Sequence, residues 1–111
     1  MELENKVIEL SNAILESEDY KKYLSAKNEI EENQDLLARV NEYRKKNFFI
    51  QNSDSMNKIE EIRKLVGEYY DVLSNKLVKD YLEAELVLCR CIQNINNIMM
   101  EKLDFDVSFI G

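Results

Sequence analysis

The chain contains no proline and only two glycines, Gly67 and the terminal Gly111, in 111 residues. Tight β-hairpins usually need glycine in their turns, whereas both residues are unfavourable inside helices. A sheet-rich fold of this length would therefore be difficult to connect. Hydrophobic residues make up 45% of the chain, which is enough for a core and excludes a disordered segment. The composition predicts a single all-α domain made of a few long helices.

Apolar residues recur at helical spacing along almost the whole chain, as in the first stripe of Leu3, Val7, Leu10 and Ile14. Polar breaks near Ser17, at Asn33, over 51–57 and at 74–75 divide this pattern. They predict a bundle of about four to five helices, with the N-terminal helices in 1–52, a long helical pair in 56–103 and an apolar tail in 104–111. Gly67 lies inside the helical pair at a cost of roughly 1 kcal/mol relative to alanine, which close approach of another helix would offset.

The last predicted helix covers residues 76–103. About 28 helical residues span about 42 Å, more than a 111-residue globule with a radius of gyration of about 13 Å can enclose. We therefore expect this helix to project or to pack along a partner, so that self-association completes the bundle. The residues predicted at a subunit interface are apolar side chains of the last two helices and of the tail: Ile62, Val66, Tyr69, Leu88, Ile92, Ile95, Met99 and Phe105.

A basic segment interleaved with aromatic residues, RVNEYRKKNFF, covers residues 39–49. Its cations could meet phosphates while its aromatic rings stack on bases. The candidate RNA contacts are Arg39, Arg44, Lys45 and Lys46. The other interpretation is that the cations favour the C-terminus of a helix and that the aromatic side chains are core residues. The net charge of −7 repels phosphate backbones, so we do not expect non-specific nucleic-acid binding by the chain as a whole.

Histidine is absent from the chain. This removes the commonest general base, the usual zinc-binding nitrogen and every Ser-His or Cys-His catalytic pair. Adjacent carboxylates on helices do not converge on one substrate atom, so no acid/base dyad is predicted. The chain is predicted not to be an enzyme. No run of about 18 apolar residues exists and the acidic N-terminus does not resemble a secretory signal, so we expect a cytoplasmic protein without membrane insertion.

The only two cysteines are Cys89 and Cys91. On a helix, residues two apart point about 200° away from each other, so the two thiolates cannot bind the same ion. Metal-binding pairs usually have two to four residues between them and a second pair elsewhere. We therefore predict no cofactor and treat the cysteines as small apolar side chains. An intersubunit site, with cysteines from several chains, is the alternative.

Two long segments carry a resemblance to a known family. They are VIELSNAILESEDYKKYLSAKNEIEENQDLLARVNEY and, after a polar break, KLVKDYLEAELVLCRCIQNINNIMMEKLDFD. The marks are the ESEDYKKYLSAK junction, the NQD helix start and the final helix LVKDYLEAE…IQNINNIM. This arrangement resembles the YlbF/YmcA family of small bacterial proteins over nearly the whole chain.

The resemblance implies an all-helical cytoplasmic regulator that self-associates or pairs with a relative. Characterised members influence competence, sporulation and biofilm development within a complex that acts with a membrane-bound ribonuclease in RNA processing. That complex has been associated with iron–sulfur clusters, which the two cysteines of this chain do not favour. The predicted function is a non-enzymatic regulator or adaptor that acts by protein–protein contact. The alternatives are direct RNA binding through residues 39–49, and an intersubunit cysteine metal or iron–sulfur site.

Overall fold

The computed structural model describes residues 1–103, and there it contains six helices and no strand. They are α1 (Glu2–Leu15), α2 (Glu18–Glu31), α3 (Gln34–Gln51), α4 (Lys58–Glu68), α5 (Tyr70–Leu73) and α6 (Lys76–Leu103). The all-α prediction is confirmed, and so is the long C-terminal helix over 76–103. The tail 104–111, with the predicted interface residue Phe105, lies outside the described residues.

Side-chain caps explain where the helices begin. The Ser17 hydroxyl accepts a hydrogen bond from the backbone N–H of Tyr20 at 3.2 Å, and the Asn33 side chain accepts one from Leu36 at 3.1 Å. Both bonds satisfy N–H groups that have no partner in the first turn of a helix. The breaks predicted at Ser17 and Asn33 are therefore real, and α2 and α3 are separate helices.

The helix count exceeds the predicted four to five because the stripe after residue 58 is interrupted. At Tyr69 the backbone has φ −109° and ψ 21°, outside the helical region, so α4 ends there and the four-residue α5 follows. The interruption turns the chain before α6 begins. The repeat of apolar residues continues across this turn, and periodicity alone therefore predicts one helix where there are two.

The core is small and lies where α2 to α5 meet the first half of α6. Its buried side chains are Ile30, Val40, Leu65, Tyr69, Val72, Val78 and Tyr81. Tyrosine rings connect the helices: Tyr23 of α2 stacks on Tyr81 of α6 at 6.0 Å between ring centroids. Among the described residues, every buried side-chain nitrogen or oxygen atom has a hydrogen-bond partner. The hydroxyl groups at the edge of the core are thus satisfied, as a low-dielectric environment requires.

The chain is extended for its length. Its radius of gyration is 17.7 Å and its extents are 49 × 38 × 18 Å, whereas a compact chain of this length has a radius of gyration of about 13 Å. The reason is that α1 buries no residue and α6 buries none beyond Tyr81. Both helices leave the core and carry their apolar side chains with them. None of the described helices combines the length and apolar character needed to cross a membrane.

Gly67 does not mark a close helix contact within the chain. A Cβ atom added there would meet nothing within 4 Å. The close approach that would have explained a glycine inside the helix is therefore absent among the described residues.

We expect Gly67→Ala to increase the free energy of unfolding by about 0.5–1 kcal/mol, because alanine restricts the unfolded chain and fits the helical backbone. Urea denaturation followed by circular dichroism would measure the change. A loss of stability would contradict this prediction and would indicate a neighbour close to Gly67 that the single chain does not supply.

Candidate interaction surface

The predicted interface residues of α6 form one continuous stripe. Leu88, Ile92, Ile95 and Met99, hereafter the α6 stripe, follow one another at gaps of four, three and four residues, which places them on one face of the helix. Leu88 and Ile95 are half-buried, whereas Ile92 and Met99 are 49% and 47% exposed. The stripe therefore has the spacing of a helix–helix seam and only part of it is covered.

The predicted interface residues of α4 and its end have different environments. Ile62 is half-buried and Val66 is exposed. Tyr69 is only 4% exposed, because the turn between α4 and α5 directs its ring against Tyr43 of α3, 5.8 Å away. Its hydroxyl donates to the Glu42 carboxylate at 3.3 Å. Tyr69 therefore belongs to the core and not to the exposed face on which the sequence pattern placed it.

Arg44 is the most strongly connected cation of the basic segment. Its guanidinium donates to both carboxylate oxygens of Glu85 at 2.5 Å and to the Tyr81 hydroxyl at 3.2 Å. Partial burial acts to lower the pKa of Arg44, but the Glu85 carboxylate and the Tyr81 hydroxyl outweigh it, so that the pKa is raised overall. The same cluster affects Tyr23, whose pKa is raised by burial and by the neighbouring Tyr81 and Glu85. Arg44 thus links α3 to α6 through two side chains of α6.

Two further cations of the segment contact the core tyrosine. Arg39 forms an ion pair with Asp71 and lies 5.3 Å from the centre of the Tyr69 ring. The Lys46 ammonium donates to the Tyr69 hydroxyl at 2.9 Å, and this hydrogen bond raises the pKa of Lys46. Both contacts place positive charge against a polarisable ring. Of the four candidate RNA contacts, Arg39, Arg44 and Lys46 therefore have partners within the chain.

Lys45 differs from its neighbours because it lies on the outer side of α3. Phe48 and Phe49, one turn further along, are 70% and 75% exposed. The interpretation of the aromatic side chains as core residues is thus wrong for these two, while Tyr43 does pack against the core. Together with Asn41 and Asn52, these three side chains line a shallow depression; we call Lys45, Phe48 and Phe49 the α3 outer face.

The two cysteines lie near the middle of α6, after Tyr81, its last buried residue. Cys89 is exposed and Cys91 is half-buried, and both are free thiols. Within residues 1–103, no cluster of three or more histidine, cysteine or acidic side chains has the arrangement of a metal site. A turn of about 200° separates the two positions on the helix. The two thiols therefore point to different sides of α6.

The fold and this surface define a small all-α protein with exposed helical faces, and sequence comparison identifies its family. Residues 3–104 match the family described as "Control of competence regulator ComK, YlbF/YmcA", and the chain belongs to this family. The resemblance predicted from the sequence is confirmed. The family description supports a regulatory role and names no enzymatic reaction.

Two curated relatives are similar over most of their length. A "UPF0342 protein" of Caldicellulosiruptor bescii is 28% identical over 102 residues, which cover 87% of this chain and 84% of the relative. A "UPF0342 protein" of Caldicellulosiruptor saccharolyticus is 26% identical over 106 residues, which cover 93% and 88%. Neither name denotes an enzyme. No solved structure matches the chain significantly.

We expect Arg44→Lys to destabilise the fold by about 1 kcal/mol. Lysine keeps the charge, but its single ammonium cannot hold Glu85 and Tyr81 from two separate nitrogen atoms, as Nη2 and Nη1 of Arg44 do. The effect is modest because both side chains are partly exposed to screening solvent. Lys21→Ala, at an exposed position of α2, is the control and should change stability by less than about 0.5 kcal/mol. Thermal unfolding would compare the two variants. An equal loss in both would contradict the structural role of Arg44.

Proposed function

We propose that this protein is a non-enzymatic regulator that acts by protein–protein contact, and that it self-associates or pairs with a relative through the α6 stripe. The observation that carries the proposal is its large exposed surface. The accessible area of the chain is 8889 Å², whereas a compact protein of 13.2 kDa exposes about 6,400 Å². The excess of roughly 2,500 Å² is of the order that one chain contributes to a large obligate interface.

The α6 stripe is the part of this surface best suited to another helix. Its four–three–four spacing is that of positions a and d in a coiled coil, where each side chain inserts between four residues of the facing helix. Complete burial of a leucine, isoleucine or methionine side chain contributes about 1.5–3 kcal/mol relative to exposure. Two such stripes packed against each other would therefore supply several kcal/mol before the cost of association is counted.

The regulatory part of the proposal rests on the family, whose description refers to control of a competence regulator. The finer context is proposed from the resemblance: a cytoplasmic adaptor in a ribonuclease-associated complex that affects RNA processing and developmental states. A protein that offers apolar helix faces and negative net charge is suited to contact proteins rather than phosphate backbones. The engagement of Arg39, Arg44 and Lys46 with partners in their own chain supports the same preference.

The proposal includes no resident metal or cofactor. Cys89 and Cys91 are too differently oriented on α6 to share an ion. An intersubunit cysteine site would need the thiols of several chains to converge at the α6 stripe. We propose instead that the cysteines fill space beside the stripe when it is covered.

Ile92→Asp should convert the oligomer to monomer, because a carboxylate in the centre of the α6 stripe would lose its water without gaining a partner. The matched control is Gln93→Asp, which places the same charge about 100° away on the exposed side of α6. Sedimentation equilibrium would measure the mass of each variant. We expect at least a hundredfold weaker association for Ile92→Asp, about 2.7 kcal/mol or more.

Two results would contradict this assignment of the interface. One is an unchanged mass of the Ile92→Asp variant with unchanged thermal stability. The other is equal dissociation of both variants, which would indicate a general effect of added negative charge and not a specific seam.

Affinity purification of the tagged chain from its own host would identify the partner class. We expect a related helical protein or a ribonuclease to co-purify, to resist ribonuclease treatment and to be lost with Ile92→Asp. Partners that disappear after RNA digestion would contradict protein-mediated contact and favour direct RNA binding through residues 39–49. Recovery of the chain alone would limit the proposal to self-association.

A further inference from the structure

Two exposed surfaces are not used by the α6 stripe: the α3 outer face and one side of α1. On α3, each residue advances about 100° around the axis, so Lys45 lies about 140° from the buried Val40. Phe48 and Phe49 lie within about 60° of Lys45, one on each side. The α3 outer face is therefore a cation between two aromatic side chains, directed away from the core.

The exposed side of α1 has the same arrangement with the opposite charge. Glu4 is followed by Val7 and Ile8, both 57% exposed, at the spacing that separates Lys45 from Phe48 and Phe49. Val7 and Ile8 thus lie within about 60° of Glu4; we call Glu4, Val7 and Ile8 the α1 outer face. Leu3 and Leu10 extend it on the side of Val7, and both are exposed.

The charge of each face lacks an ionic partner among the residues that the structure describes. Among residues 1–103, neither Glu4 nor Lys45 takes part in an ion pair, whereas Glu9, on the opposite side of α1, pairs with Lys6 at 3.5 Å. Covering either face with a purely apolar partner would leave a desolvated charge, which is strongly unfavourable. Each face therefore requires a partner with an opposite charge set between apolar side chains.

We propose that the α1 outer face of one copy docks on the α3 outer face of a second copy, with Glu4 paired to Lys45 and with Val7 and Ile8 packed against Phe48 and Phe49. Pairing α1 with α1 would bring two glutamates together, and pairing α3 with α3 would bring two lysines together. Only the mixed contact satisfies both charges. A two-fold axis would then produce the contact twice in one closed dimer.

A second copy is favoured over the chain's own α1. The exposure of all four apolar side chains shows that α1 does not cover α3 within the chain. The long-range charge distribution supports the contact as well. Residues 39–64 contain seven basic and four acidic residues, a net charge of +3, within a chain of net charge −7. Helix α1 contains three glutamates and one lysine, so an approaching α1 is attracted to this region.

The inference rests on the proposed self-association and adds a contact separate from the α6 stripe. A charge-exchange cycle tests it on the full chain, with the dissociation constant measured by sedimentation at low and physiological salt. We expect Glu4→Lys and Lys45→Glu each to weaken association by about tenfold or more, and the double variant to recover to within about threefold of the parent chain. Glu9→Lys, the matched control on the opposite side of α1, should change the constant by less than about threefold.

The cycle separates this inference from the proposal on which it rests. An oligomer that is insensitive to both single variants, yet dissociates with Ile92→Asp, would overturn the α1–α3 contact alone. Additive weakening in the double variant would also overturn it, since exchanging both charges of a true pair restores a complementary pair and must compensate. If Lys45→Glu left association intact but abolished binding of a single-stranded oligonucleotide, the face would belong to a nucleic acid, which also overturns the contact. A parent chain that is monomeric at every concentration would refute the self-association itself.

Discussion

The packing of α2 against the first half of α6 is the interaction on which the rest of the structure depends. It brings Tyr23 onto Tyr81. The Tyr81 hydroxyl accepts a hydrogen bond from the guanidinium of Arg44 on α3, which also forms an ion pair with Glu85. Three helices are therefore fixed at one point by the stacked pair of tyrosine rings, by the Arg44 guanidinium 5.7 Å from the centre of the Tyr81 ring, and by the ion pair of Arg44 with Glu85. Everything else in the fold extends from this end: α4 and α5 close the core, while α1 and the second half of α6 lead away from it.

A core concentrated at one end has a direct consequence for how the protein works. The stability of a small domain is limited by the apolar area that it can bury, and among residues 1–103 seven side chains make up the buried core. Many of the apolar side chains that remain exposed lie on the two helices that extend outward, and others lie on the outer side of α3, so they are available to a partner without any unfolding. Under the proposed self-association, folding and association would be coupled, and the apparent stability of the chain should depend on its concentration and on its partners.

Much of the fold could be predicted from the sequence, because its signals are local. Absent proline and scarce glycine favour helices, Ser17 and Asn33 stop and start them by hydrogen bonds within three residues, and the last helix follows from its unbroken repeat. Tyr69 shows the limit of this reasoning. Its position in the repeat indicates that it lies on an apolar face. Whether that face is covered by the same chain or by another depends on the backbone turn at Tyr69.

The basic segment shows the same limit in the candidate site. Four cations among aromatic residues are typical of a nucleic-acid surface, yet the structure directs three of them towards tyrosines and carboxylates of distant helices. Such long-range partners have no signal in a single sequence. By contrast, the exposure of Phe48 and Phe49 could be predicted in part, since adjacent residues on a helix cannot share one buried face. That both are exposed follows only from the position of α3 at the edge of the core.

The two proposed contacts divide affinity and specificity between them. An apolar seam such as the α6 stripe binds any helix with a matching repeat, and therefore cannot by itself distinguish a second copy from a relative. A single charge set between apolar side chains can distinguish them, because the wrong partner leaves two like charges or one desolvated charge in the interface. With Glu4 and Lys45 on different helices, the proposed contact would admit another chain only when both charges are complementary. In a family of small helical regulators, this arrangement would let closely similar chains assemble with selected partners while retaining the same fold.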